Sequence, residues 1–335
     1  MNTAVPPFFL LLSLLFVFIQ TASAAKPELR FGADGTFKIV TFSDIQDDES
    51  LDPRSTALME RVLDAEKPDM VVIIGDCIAG YAIDTVDQVK QAIASISVPM
   101  EKRRIPWAIV FGNHDMEHQG RTKMDKSAVI EFYSSFPCNL NVRGPEKIHG
   151  VGNDHLLVKN SAGTAPALAL WLIDSGMYAP AKIGGYDWIH ATQVNWYCRT
   201  STQLQAKYGL KIPGLMFFHI PIQEFRDLAQ SGKYKGDRFE PEGCSKIHSS
   251  LFASVLARGD VKGIFCGHEH ISNYVGEWHG VTLGYDASVT YSDYNLPDND
   301  PAVNRTRGGR VLLIKESDPG HFATWMRFTD NTTNQ

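Results

Sequence analysis

The sequence predicts an α/β protein, and three observations carry that expectation. Short apolar runs alternate with longer stretches of helical periodicity. Five of those runs stop at Asp, Asn or His, where a chain leaving a strand would present a metal-ligating atom. After Cys266 only strand-like runs remain, enough to complete a second sheet. At 335 residues, with 44% hydrophobic and 21% charged, the chain can bury a sizeable core. No repeat or Pro/Gly/Ser-rich linker divides it, so one domain is expected over residues 36–330.

Taken in order, Phe37–Phe42 reads as a strand, followed by an acidic loop. A helix is expected over Arg54–Glu66, with Leu58, Val62 and Leu63 on one face and Pro68 ending it. Met70–Ile74 is a buried strand stopping at Gly75-Asp76. Val86–Ile96 is helical, with Val89, Ile93 and Ile96 aligned. Trp107–Phe111 is the next strand, and Lys123–Phe136 the next helix. Ala167–Ile173 forms a strand, a Gly/Tyr-rich loop follows, and Thr192–Lys207 is helical. Leu215–Phe218 is a strand ending at His219, with a long polar loop to about Gly243. Ser245–Ala257 is helical and Gly263–Cys266 is a strand. Val281–Tyr285, Val311–Ile314 and Ala323–Phe328 are the closing strands.

Residues 1–24 read as a secretory signal peptide. Phe8–Ile19 is apolar but shorter than the roughly 20 residues a membrane span needs, and Ala22-Ser23-Ala24 offers a small-residue cleavage pattern. The segment before Phe8 has no Lys or Arg, which leaves an uncleaved anchor as the alternative. The expected location is secreted or periplasmic. A net charge of −6 argues against a nucleic-acid partner or an anionic membrane surface once the leader is removed. Export permits disulfides. Of Cys77, Cys138, Cys198, Cys244 and Cys266, a bridge from Cys138 to Cys198 or Cys244 is expected, with Cys77 and Cys266 as small buried residues. Asn304 and Asn331 open glycosylation motifs.

The candidate ligands are Asp44, Asp76, Asn113-His114-Asp115, His219 and His268/His270. Singly, an Asp after a strand is as readily a turn former, and a lone His a core residue. In series they are a set, because ligands in open α/β sheets collect beyond the carboxyl ends of the strands. Flanking glycines (Gly75, Gly112, Gly267) would let the chain turn sharply. Carboxylates, an amide and imidazoles without an obligatory thiolate suit one or two ions of Fe, Zn or Mn. Glu242 and His248, in the loop before the last block, are candidates to line a substrate cleft.

These blocks resemble, in order, the motifs of the calcineurin-like metallophosphoesterases. Pro106-Trp107, Tyr186-Asp187-Trp188-Ile189, Phe218-His219-Ile220-Pro221 and the run from Ala257 to Lys262 are similar to the purple-acid-phosphatase-29-type branch, over about residues 36–315. The resemblance implies a four-layer αββα sandwich of two mixed β-sheets. It implies phosphomonoester hydrolysis by a metal-activated water on a phosphorylated small molecule or protein. It also implies that Asp76 bridges two metals, that Asn113, His219 and His268 complete one site, and that Asp44 and His270 belong to the other. His114 would contact the phosphate as general acid, with Asp115 orienting its ring. Two departures stand out. Ala79 occupies the place of the tyrosine ligand of purple acid phosphatases, and Gln46 stands where many relatives carry a histidine. A neutral amide oxygen is a weaker ligand than imidazole, so Asp47 or Asp48 is a candidate helper. The alternative functions are therefore an impaired metal-binding relative that holds a phosphorylated ligand or partner, or a phosphodiesterase using the same site.

Overall fold

The computed structural model describes residues 26–297, 300 and 302–334, so the expected leader lies outside the described residues. The elements run β1 (Thr36–Phe42), α1 (Pro53–Glu66), β2 (Met70–Ile74), α2 (Val86–Arg103), β3 (Trp107–Val110), α3 (Gln119–Thr122), α4 (Lys126–Ser134), β4 (Asp154–Lys159) and β5 (Pro166–Leu172). They continue with α5 (Ala191–Tyr208), β6 (Gly214–Phe217), α6 (Gln223–Ser231), α7 (Leu251–Arg258), β7 (Val261–Cys266), β8 (Val275–Trp278), β9 (Val281–Tyr285), β10 (Gly308–Lys315), β11 (Asp318–Phe328) and β12 (Thr333–Asn334).

They form two six-stranded mixed sheets, ordered β12-β11-β10-β1-β2-β3 and β4-β5-β6-β7-β9-β8. β1, β2 and β3 are parallel, as are β5, β6, β7 and β9, while antiparallel strands flank each set. Strand β2 shows why the sandwich has four layers. Its run Met-Val-Val-Ile-Ile is apolar on both faces, as a doubly covered strand requires. Met70, Val72 and Ile74 point inward against Leu170, Leu215, Phe217 and Phe265 of the second sheet. Val71 and Ile73 point outward against Leu58 and Val62 of α1 and Val89, Ile93 and Ile96 of α2. The second sheet turns Trp171, Met216, Ile264 and Leu283 onto α5, α6 and α7. The expected αββα sandwich is therefore present.

Several boundaries differ from the sequence reading. Helix α2 continues through Pro99 to Arg103, held at its start by a capping box in which Thr85 accepts from Gln88 N–H and Gln88 accepts from Thr85 N–H. The polar loop after His219 contains α6, whose Phe225 and Leu228 pack into the second core. Only Leu251–Arg258 of the helix expected from Ser245 forms, because Ser245 and Ser249 hydroxyls accept from the amides two residues on. The edge strands β4 and β8 were not legible as strands. Packing also begins before residue 36, where Leu29 and Phe31 are buried. All five cysteines are free, so the expected Cys138 bridge does not form.

Candidate metal centre

The carboxyl ends of the parallel strands of both sheets meet at one rim. β1 delivers Asp44 and Gln46, β2 delivers Asp76, β3 delivers Asn113 and His114, β6 delivers His219, and β7 delivers His268 and His270. The backbone is strained there: Asp44, Gln46, Asp76 and His268 adopt positive φ of 51°, 43°, 45° and 95°. Such conformations cost about 1–3 kcal/mol each for non-glycine residues and persist where the surroundings over-determine them. Backbone and side-chain bonds supply that constraint. Gln46 N–H donates to Asp76 O (2.9 Å), His114 N–H to Asp76 Oδ1 (2.7 Å) and His268 N–H to Asp44 Oδ2 (3.1 Å). Gly112 and Gly267 serve close approach more than turning. A side chain at Gly112 would collide with Asp76, and one at Gly267 with Ser43 and Asp44.

Ligand atoms of Asp76, His219 and His268 lie within 4.8 Å of one another. His219 Nδ1–H donates to Ile74 O (2.8 Å), which turns Nε2 inward, 2.9 Å from Asp76 Oδ2 and 3.9 Å from Asp44 Oδ1. His270 is set likewise: Nδ1–H donates to Tyr294 O (2.9 Å), and Nε2 faces Asp44 Oδ1 at 3.6 Å and Gln46 Oε1 at 3.0 Å.

The donor set fits a cation. Asp44 Oδ1, Asn113 Oδ1, His219 Nε2 and both ring nitrogens of His268 are buried without a hydrogen-bond partner. Each such orphan costs about 1–3 kcal/mol. Four loops from two sheets bring them to one place, and a metal ion would satisfy oxygen and nitrogen lone pairs together. Cys77 and Cys266 are buried, and burial holds their thiols well above the usual range, so no thiolate competes. Burial disfavours charge on His219, yet Asp76 and Asp44 raise its pKa to about 10. Burial likewise opposes ionisation of Asp76, but His219 holds its carboxyl well below the usual range. Burial, reinforced by His219, pushes His268 down to about 3. Burial also pushes the Asp44 carboxyl up, so the pocket pairs a charged His219 with Asp76 beside a neutral His268, and a metal ion would take the place of the His219 proton.

Three expectations need correction. Asp115 does not orient His114. Its carboxylate accepts from Gly112 N–H (2.7 Å), Cys77 N–H (2.8 Å) and Ile78 N–H (3.0 Å), tying the β2 and β3 loops together. Glu117 holds the ring instead, with Oε2 2.7 Å from His114 Nδ1, while Tyr178 O–H donates to its other oxygen (2.6 Å). Glu242, expected to line a substrate cleft, is instead buried and engaged by Arg238 (2.7 Å) and Tyr274 (2.9 Å), while His248 pairs with Glu224 (3.2 Å) and stays exposed. Nor do Asp47 and Asp48 help. Asp47 accepts from Asp48 N–H, Asp52 N–H and Ser292 O–H, and Asp48 accepts from Ser50 N–H.

Sequence reading missed Glu117 and Asp293. The three-residue spacing from His114 to Glu117 was available as a signal, whereas nothing local marked Asp293. Gln46 donates its amide N–H to Asp293, and Tyr81 O–H donates to the same oxygen (2.7 Å). Tyr81 stacks edge-on against His114 with centroids 5.3 Å apart and is no ligand.

Paired mixed sheets with buried, unsatisfied metal-type ligands at a shared rim define a metallophosphoesterase scaffold. The calcineurin-like phosphoesterase family model matches residues 37–272, and the chain belongs to that family. It is 33% identical to the probable inactive purple acid phosphatase 29 of Arabidopsis thaliana, over 92% of this chain and 86% of that one. It is 29% identical to the phosphatase DCR2 of Saccharomyces cerevisiae, over 77% of this chain and 48% of that one. Among solved structures, a dimetal phosphatase from Danio rerio matches with a TM-score of 0.54 at 14% identity, over 86% of this chain and 98% of that one. GAP50, the anchor in the inner membrane complex of Plasmodium, matches with a TM-score of 0.53 at 13% identity, over 90% of this chain and 88% of that one. These two likenesses concern the fold alone. No helix of the described residues is long and apolar enough to cross a membrane.

Proposed function

We propose that this protein is an exported, metal-dependent phosphomonoesterase. The observation that carries the reading is the convergence of unpartnered buried Asp44 Oδ1, Asn113 Oδ1, His219 Nε2 and His268 nitrogens around Asp76. Asn113, His219 and His268 would hold one ion of Fe, Zn or Mn, and Asp44, His270 and Gln46 a second, with Asp76 shared. Ions bound there supply Lewis acidity toward a phosphoryl group and activate water. The chain's own contribution is proton handling. Glu117 accepts from His114 Nδ1–H, which leaves Nε2 to deliver a proton to the departing alkoxide. The leader-like sequence of residues 1–24 supports the export reading.

A second reading rests on Gln46: a weakened second site would leave a one-metal protein that binds a phosphorylated ligand without hydrolysing it. The name of the Arabidopsis relative agrees with it. Metal per chain and turnover of monoesters and diesters, measured for wild type, Gln46→His and His114→Ala, separate the readings. Two metals and monoester turnover that collapses in His114→Ala support the enzyme. One metal and no turnover, restored by Gln46→His, supports the binder. Protein that takes up no Fe, Zn or Mn defeats both.

A further inference from the structure

The mouth of the metal cluster is ringed by tyrosines whose hydroxyls are tied down and whose rings are about half exposed. Tyr81, Tyr178 and Tyr294 are 46%, 47% and 48% exposed, unusual for rings that also touch a buried site. Each hydroxyl is anchored by a carboxylate: Tyr81 on Asp293 (2.7 Å), Tyr178 on Glu117 (2.6 Å) and Tyr294 on Glu240 (3.3 Å). Each ring is also placed against the chemistry. Tyr81 meets His114 edge-on at 5.3 Å, Tyr294 stacks on His270 at 4.0 Å, and Tyr178 shares Glu117 with His114. The anchors fix the rings before any ligand arrives, so stacking on them costs little ordering entropy. The same anchors make the rim anionic. Resting on the reading above, we propose that the substrates are phosphate monoesters of planar aromatic alcohols bearing no further negative charge. The leaving group lies against Tyr81 and Tyr294 while the phosphoryl group faces the cluster. Glu117, Glu240 and Asp293 disfavour additional anionic groups.

Non-hydrolysable phosphonates test this in the metal-loaded protein by calorimetry. Phenylphosphonate is expected to bind about tenfold more tightly than butylphosphonate, the size of one or two aromatic contacts. The ratio should fall toward one in Tyr81→Leu/Tyr294→Leu and only part of the way in Tyr81→Phe/Tyr294→Phe, which keep the rings and lose the anchors. 4-Carboxyphenylphosphonate should bind about threefold or more weakly than phenylphosphonate, with the gap closing in 1 M salt. Equal binding of the phenyl and butyl compounds by wild type overturns this inference and leaves the phosphoesterase reading standing. So does a ratio that both leucine substitutions leave unchanged. If no phosphonate binds, both fall together.

Discussion

The side-chain oxygen of Gln46 lies 3.0 Å from His270 Nε2, while its amide nitrogen is turned away onto Asp293. A carboxylate only accepts hydrogen bonds, so the NH₂ group must face Asp293 and the oxygen must face the cluster. His270 Nδ1–H is committed to Tyr294 O, which leaves Nε2 facing Gln46 Oε1 and Asp44 Oδ1. With a cation bound, Nε2, Gln46 Oε1 and Asp44 Oδ1 would face it together. Gln46 therefore presents an oxygen ligand in good orientation and differs from histidine in donor strength.

Removing the group that orients Gln46 should loosen the second ion. Asp293→Ala is expected to weaken the more weakly held cation by about 10–100-fold, the usual effect of losing an outer partner of a ligand. Gln46→His should tighten Zn at the same position. Calorimetric titration of metal-free protein reads both, and equal affinities in all three proteins would show that Gln46 is not a ligand.

Glu117 and Asp115 should separate in their effects. Glu117→Gln loses the charged partner of His114 Nδ1, and kcat is expected to fall about 10²-fold with metal content unchanged. Asp115→Asn keeps the volume but cannot accept from three amides, so stability should fall by about 1–3 kcal/mol. Urea unfolding beside steady-state kinetics checks both. The opposite pattern would return the orienting role to Asp115.

Arg310, on β10 of the first sheet, pairs with Asp286 at the end of β9 in the second and donates to Tyr285 O (2.8 Å) and Asn273 O (2.8 Å). Both charged side chains are about 1% exposed. Arg310→Met should cost about 3–5 kcal/mol by leaving the Asp286 charge buried with only the Thr41 hydroxyl to answer it. The double variant Arg310→Met/Asp286→Leu should recover a large part of that in urea unfolding.

Asp154, at the start of β4, has its pKa raised to about 6 by burial. A carboxyl raised in the folded state holds its proton there more tightly than in the unfolded chain, so its stability cost is absent below the unfolded value near 3.9 and complete above about 6. Asp154→Asn is accordingly expected to stabilise the protein by about 1–2 kcal/mol at pH 7.5 and by nothing at pH 3.5. A pH-independent difference in unfolding free energy would contradict this.

Central strands and most helices were legible because their apolar periodicity is local: β2 and the faces of α1 and α2 follow from residues a few positions apart. Helix α6 was not, since its polar composition hides Phe225 and Leu228, which only the second sheet covers. The expected cysteine bridge was wrong for the same reason, as pairing depends on distances that spacing along the chain does not encode.

By itself the sequence determined the α/β class and the gathering of Asp44, Asp76, Asn113, His219, His268 and His270 beyond the strand ends, because each follows a strand by a few residues. Tertiary structure alone decided which carboxylate serves which role. Asp115 was drawn to backbone amides, Glu117 to His114 and Asp293 to Gln46, and Glu242 was closed off by Arg238 and Tyr274. A carboxylate's chemistry is set by the donors within about 3 Å of its oxygens, and here those donors come from segments as far apart as residues 46 and 293.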